Sequence, residues 1–228
     1  MILIKNANIH CMANENFKNG MILVDKGKII AIGNIVKSPS NAKIIDAKGK
    51  FVMPGMIDAH CHLGMFEDGM GSEGADGNEA VNPVTPHLRA IDAINPMDIC
   101  FKDALDAGIT TVATGPGSAN VIGGQFAVIK TYGNRIDDMI VNECLAIKVA
   151  FGENPKRVYY AQKKSPSTRM GTAAILRENL IKAKIYVKKQ TNALESSDKA
   201  PEFDIKMEAL AKVIRKEIPL KAHVHRAD

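Results

Sequence analysis

Met56-Ile57-Asp58-Ala59-His60-Cys61-His62-Leu63 is a short run whose side chains sort by period two. Successive side chains of a strand point to opposite faces, so Met56, Asp58, His60 and His62 share one face and Ile57, Ala59, Cys61 and Leu63 the other. The second set is wholly apolar and suits contact with a layer of helices. The first then points into a barrel, with Asp58 and both histidines inward. Two imidazoles roughly 7 Å apart along a strand converge naturally on one ion. A lone buried histidine is more often hydrogen-bonded core, but a His-x-His pair at the C-terminal end of a strand reads as a metal-binding pair.

Working outward, Pro54-Gly55 marks a change of texture. Residues 1–53 read as short strands (2–9, 21–24, 28–32 and 42–46) with turns at Asn19-Gly20 and Lys26-Gly27, a small β module. Residues 54–228 read as apolar strands alternating with helical patterns, which predicts βα units around a parallel sheet. Residues 64–82 are Gly-rich and acidic without periodicity, hence a long loop. Their Glu67, Asp68, Glu73, Asp76 and Glu79 read as a substrate mouth or as plain solvated acidity. Asn95-Pro96 predicts a cap and first turn for a helix over 97–107, closed by Gly108. Strands follow at 109–114, 126–131 and 145–151, helices at 168–194 and 205–217, and a fifth strand at 220–225.

In the fourth strand Leu145, Ile147, Val149 and Phe151 form a large apolar face, and Ala146, Lys148 and Ala150 a small one. A lysine aimed into a barrel needs a partner, because an unpaired buried ammonium is costly. A salt bridge to Glu143 or Glu153, a Schiff-base nucleophile and a carboxylated lysine bridging two metals all satisfy that need. Glu153 is itself a competing carboxylate ligand or a loop cap. The fifth strand places Lys221, His223 and His225 on one face, again at the end where parallel barrels keep their active sites. His10 and His87 lack such context and read as structural or surface groups. Gly115-Pro-Gly-Ser118 and Gly123-Gly124 read as stretches able to wrap a substrate, but they carry no phosphate-loop pattern.

Composition narrows the classes. The formal charge is +5 with aromatics at only 5%, and the cluster of Lys163, Lys164, Lys182, Lys184, Lys188 and Lys189 reads as a solvated helix face rather than a nucleic-acid surface. No run of 18 apolar residues could span a membrane, and the opening apolar run is too short for a signal peptide. Cys11, Cys61, Cys100 and Cys144 form no C-x-x-C pair, which predicts free thiols and a cytoplasmic setting.

The stretch Val52-Met-Pro-Gly-Met-Ile-Asp-Ala-His-Cys-His62 resembles the amidohydrolase superfamily, metal-dependent hydrolases of C–N bonds in amides and cyclic amides. Gly27-Lys-Ile-Ile-Ala-Ile-Gly33, Asp46-Ala-Lys-Gly-Lys50 and Asp106-Ala-Gly-Ile-Thr-Thr-Val112 extend the likeness along the chain. Asn82-Pro-Val-Thr-Pro86, Arg89-Ala-Ile-Asp-Ala-Ile-Asn-Pro96 and Gly152-Glu-Asn-Pro-Lys156 are similar to its imidazolonepropionase-related branch. The resemblance implies an α/β chain: strands of an N-terminal β-sandwich in 1–53, then about the first five βα units of a TIM-like (β/α)8 barrel in 54–228. It implies one or two divalent ions, most often zinc, acting with a water on a small-molecule substrate. His60 and His62 match the strand-one ligands, Lys148 the strand-four carboxylated lysine and His223 the strand-five ligand. His225 becomes a group that either supports the ligands from behind or contacts the substrate, and Glu153 an alternative bridging carboxylate.

The family's proton-accepting Asp and a further His would fall beyond residue 228, and a complete barrel takes about 250 residues. The chain therefore reads as the N-terminal part of a longer enzyme, inactive by itself. Its bare sheet edges favour self-association into a homo-oligomer. A non-catalytic scaffold, a deaminase and a metal-dependent dipeptidase are the alternatives.

Overall fold

The computed structural model describes all residues except 14, 196–198 and 226–228. It divides into two compact units, Met1–Gly55 and Met56–Asp228.

The first unit is one five-stranded sheet: β1 (Ile2–Ile9), β2 (Phe17–Asp25), β3 (Lys28–Gly33), β4 (Lys43–Asp46) and β5 (Phe51–Val52). The order is β3-β2-β1-β4, with β5 also on β1. Lys26 and Gly27 join β2 to β3 with φ of 47° and 75°, the left-handed pair a two-residue hairpin turn requires. Ala7, Ile9, Ile22 and Ala47 form the small core.

The second unit is built on β6 (Met56–Cys61), β7 (Ile109–Thr114), β8 (Ile122–Lys130), β9 (Ile140–Ala150) and β10 (Leu220–His223), ordered β10-β9-β8-β7-β6. The helices are α1 (Ile99–Asp106), α2 (Ile136–Met139), α3 (Glu153–Ala161), α4 (Arg169–Glu195) and α5 (Ile205–Ile214). Strand β6 runs parallel to β7 and β9 parallel to β10. Strand β8, however, runs antiparallel to both neighbours. This departs from the parallel strand expected at 126–131, and the cause is local. A parallel return needs a crossover of a dozen or more residues, whereas residues 115–121 join β7 to β8 without a helix.

Two further expectations shift. Helix α1 is capped by Asp98, whose side chain accepts from the Cys100 amide, while Asn95 caps the turn before it by accepting from the Met97 amide. Glu153 does not lie in a loop but opens α3.

The alternating pattern places the helices. Cys61 and Leu63 pack with Phe101 of α1, Val112 and Ile129. On β9, Ile147 and Val149 pack against Ala183 and Tyr186 of α4 and Leu210 of α5. The opposite face of the sheet is concave. The edge strands of a flat five-stranded sheet lie about 19 Å apart at the usual strand spacing. Yet Lys221 Nζ on edge strand β10 donates to the Ala59 carbonyl on edge strand β6 at 2.5 Å. The sheet is thus curled into a partial TIM-like barrel wall.

Candidate metal centre

Phe126 of β8 lies at the middle of the concave face, fully buried. The ring centroids of His60 and His62 lie 5.1 and 6.2 Å from that of Phe126. The Nζ atoms of Lys148 and Lys221 lie 5.5 and 5.0 Å from the same centroid. His60 of β6 and His62 just beyond it meet edge to face, 5.5 Å between ring centroids. Lys148 Nζ lies 3.3 Å from His60 Nε2. His62 Nδ1 lies 2.6 Å from the Gly115 carbonyl, which makes Nδ1 the protonated nitrogen and leaves the Nε2 lone pair free. On β10 and just beyond it, the rings of His223 and His225 stack edge to face at 4.7 Å.

Close packing makes this possible at two glycines. A Cβ on Gly115 would fall 2.4 Å from the Phe126 ring, and one on Gly123 would touch Lys148 Cβ at 3.4 Å. A Cβ on the neighbouring Gly124 would meet the Leu88 carbonyl at 2.4 Å, and Gly124 lines a cavity of about 220 Å³ with Asp76, Glu79, Arg89 and Asp92.

Solved structures include a near relative. An amidohydrolase from Thermotoga maritima superposes with a TM-score of 0.94 at 46% identity, over 100% of this chain and 59% of that one. The chain belongs to the amidohydrolase superfamily. Among curated proteins, the chain is 31% identical to amidohydrolase tasK of Hapsidospora irregularis, over 90% of its own length and 23% of that protein. It is 29% identical to a dihydroorotase of Elusimicrobium minutum, over 85% of its own length and 48% of that protein. The chain thus spans less than half the length of either curated relative. No protein-family model matches it.

The electrostatics of this face follow from burial first and from its lysine charges second. Desolvation first, then the charges of Lys148 and Lys221, lower His60 to about 4. Burial first, then Lys221, lowers Lys148 to about 8. His223 is also lowered, by desolvation and then by Lys148 and its neighbouring histidines. Unprotonated imidazoles are the form that ligates a metal, so the donor chemistry fits a divalent ion. Among the described residues, no three His, Cys, Asp or Glu side chains stand in a metal-holding arrangement. Besides the imidazoles, the side-chain nitrogens facing this site are those of Lys148 and Lys221.

Of the three options for Lys148, the salt bridge to Glu143 or Glu153 does not form among the described residues. Glu153 instead pairs with Lys156 at 3.1 Å on the exposed face of α3, and Glu143 is not among Lys148's partners. His10 stacks on Phe51, and the buried His87 Nδ1 has no partner among the described residues. Sequence reasoning placed Lys221 on the face of His223 without giving it a role, and it missed Phe126 and Gly115. The alternation of β10 carried the signal for Lys221. Nothing local marks Phe126, whose inward direction is set by its pairing with Ala146, on the Lys148 face of β9.

Proposed function

We propose that the protein hydrolyses a C–N bond of a small amide or cyclic amide, using one or two divalent ions, zinc foremost, held by His60, His62, Lys148 and His223. The observation that carries this reading is the convergence of His60, His62 and Lys148 on one buried aromatic ring, with His223 within electrostatic reach of Lys148 and His62. When bound, the ion supplies Lewis acidity toward the scissile carbonyl and a water ionisable near neutral pH.

The chain's own residues prepare that chemistry. His62 is oriented by the Gly115 carbonyl, and the low pKa of His60 keeps its ring neutral. Phe126 excludes water beneath both rings, which strengthens every charge interaction above it. Lys148, lowered to about 8, has a reactive neutral fraction able to take up carbon dioxide as a carboxylated lysine. His225, stacked on His223, is placed to contact substrate. Glu153 acts as a bridging carboxylate only if its pair with Lys156 opens.

The four cysteines are free, which supports a reducing, cytoplasmic setting. Among the described residues, no helix is long and apolar enough to cross a membrane.

The test is His60→Ala in the protein that carries this chain. The expected result is loss of bound metal by elemental analysis together with loss of hydrolysis across amides, dipeptides, lactams and amino-heterocycles. Retained metal with full turnover would overturn the reading.

A further inference from the structure

Lys221 has no place in the ligand set proposed above, yet its ammonium sits on the floor of that set. Strands β9 and β10 pair so that Lys221 lies directly beside Lys148, and both Nζ atoms lie within 5.5 Å of the Phe126 centroid. Their polar contacts are neutral: His60 Nε2 for Lys148, at 3.3 Å, and the Ala59 carbonyl for Lys221, at 2.5 Å. Among the described residues, neither lysine forms an ion pair with a carboxylate. A carbonyl oxygen solvates an ammonium but does not neutralise it. Two like charges over one desolvated ring repel, and the low local dielectric strengthens that repulsion. The Asp58 carboxylate accepts from the His60 amide and acts on the His60 ring but, among the described residues, pairs with neither lysine, so the face is short of negative charge between Lys148 Nζ and Lys221 Nζ.

We propose that Lys221 is a positioning residue that holds a carboxylate-type oxyanion against Lys148. The inference rests on the reading of this face as the substrate- and metal-binding side of the barrel wall. The same oxyanion chemistry has two sources. One is a carbamate on Lys148 itself: the Nζ lone pair bonds to the carbon of dissolved carbon dioxide, one C=O π pair moves onto oxygen, and the displaced N–H proton leaves to water past His60 Nε2. No oxidant or reductant is needed. The other source is the carboxylate of a bound small molecule. In both cases Lys221 contributes charge that methionine lacks and arginine keeps.

The experiment uses the full protein after removal of metal, so that neither turnover nor metal loading enters the result. Wild type, Lys148→Ala, Lys221→Met, Lys221→Gln and Lys221→Arg are equilibrated with 13C-bicarbonate and examined by 13C NMR. Binding of acetate to each is followed by calorimetry, and far-UV circular dichroism verifies folding. A wild-type carbamate resonance is expected that is absent in Lys148→Ala. It is expected to fall about tenfold in occupancy in the two neutral Lys221 variants, the size of one charge-assisted hydrogen bond, and to persist in Lys221→Arg. Saturable acetate binding with the same Lys221 dependence and no carbamate would support the proposal and assign the oxyanion to a ligand.

Three results would overturn the proposal. The first is neither signal in wild type. The second is neutral Lys221 variants indistinguishable from wild type. The third is a folded Lys221→Arg that falls as far as Lys221→Met. Failure of the hydrolase reading would show instead as unchanged metal and turnover in His60→Ala, a separate measurement.

Discussion

Lys148 is 0% exposed, with its amine on a histidine nitrogen and no carboxylate pair among the described residues. A buried ammonium so placed is held against its desolvation penalty. In metal-free protein kept without bicarbonate, Lys148→Met preserves length and removes the charge. It is expected to raise the unfolding free energy by about 1–3 kcal/mol in urea titration. The same change removes a positive neighbour of His60, so the His60 midpoint, followed by NMR, is expected to rise from about 4 toward its ordinary 6.5. The sign for stability follows from linkage. Folded His60 binds its proton less readily than the unfolded residue, so its contribution is complete above pH 6.5 and is lost as pH falls from 6.5 to about 4. Lys148→Met narrows that window. The period of the fourth strand shows that Lys148 points away from the apolar face. It does not show what the amine meets, because His60 lies 88 positions away in sequence.

Among the elements, the link from β7 to β8 matters most to the site. Its first residue, Gly115, presents a carbonyl to His62 and leaves no room for a side chain, the Phe126 ring being 2.4 Å from where a Cβ would stand. Gly115→Ala is expected to cost about 1–3 kcal/mol of stability through overpacking, measured by denaturant unfolding. It is also expected to shift the His62 ring resonances, because the carbonyl moves with the backbone. A wild-type His62 spectrum in a destabilised variant would separate packing from orientation. Strand β7 and the helices α4 and α5 fall close to the ranges the sequence pattern predicts. The direction of β8 was not legible in that pattern, since an apolar run reads the same either way and only the length of its connection distinguishes the two.

At the scale of the whole molecule, unprotected strand surface is the main liability. Strand β3 ends the first unit's sheet with Ile29 62% and Ile30 55% exposed, on opposite faces. A bare edge flanked by β-branched residues is a template for pairing. Residues 1–228 studied alone are expected to self-associate with concentration in sedimentation velocity, and Ile29→Lys is expected to weaken that association. A monomer across the concentration range would contradict the expectation. What the sequence by itself determined is the set of local periods: which strands exist, which of their faces is apolar, and that His60, His62, Lys148, Lys221 and His223 stand off those apolar faces. These follow from the two-residue repeat of a strand, which needs no knowledge of its neighbours. Only the tertiary structure decided that β8 runs backward, that Phe126 lies beneath both histidines, and that Lys148 and Lys221 share one ring without a counter-charge. Those outcomes depend on the curl that brings β10 within reach of β6, a property of five paired strands together and of no single segment.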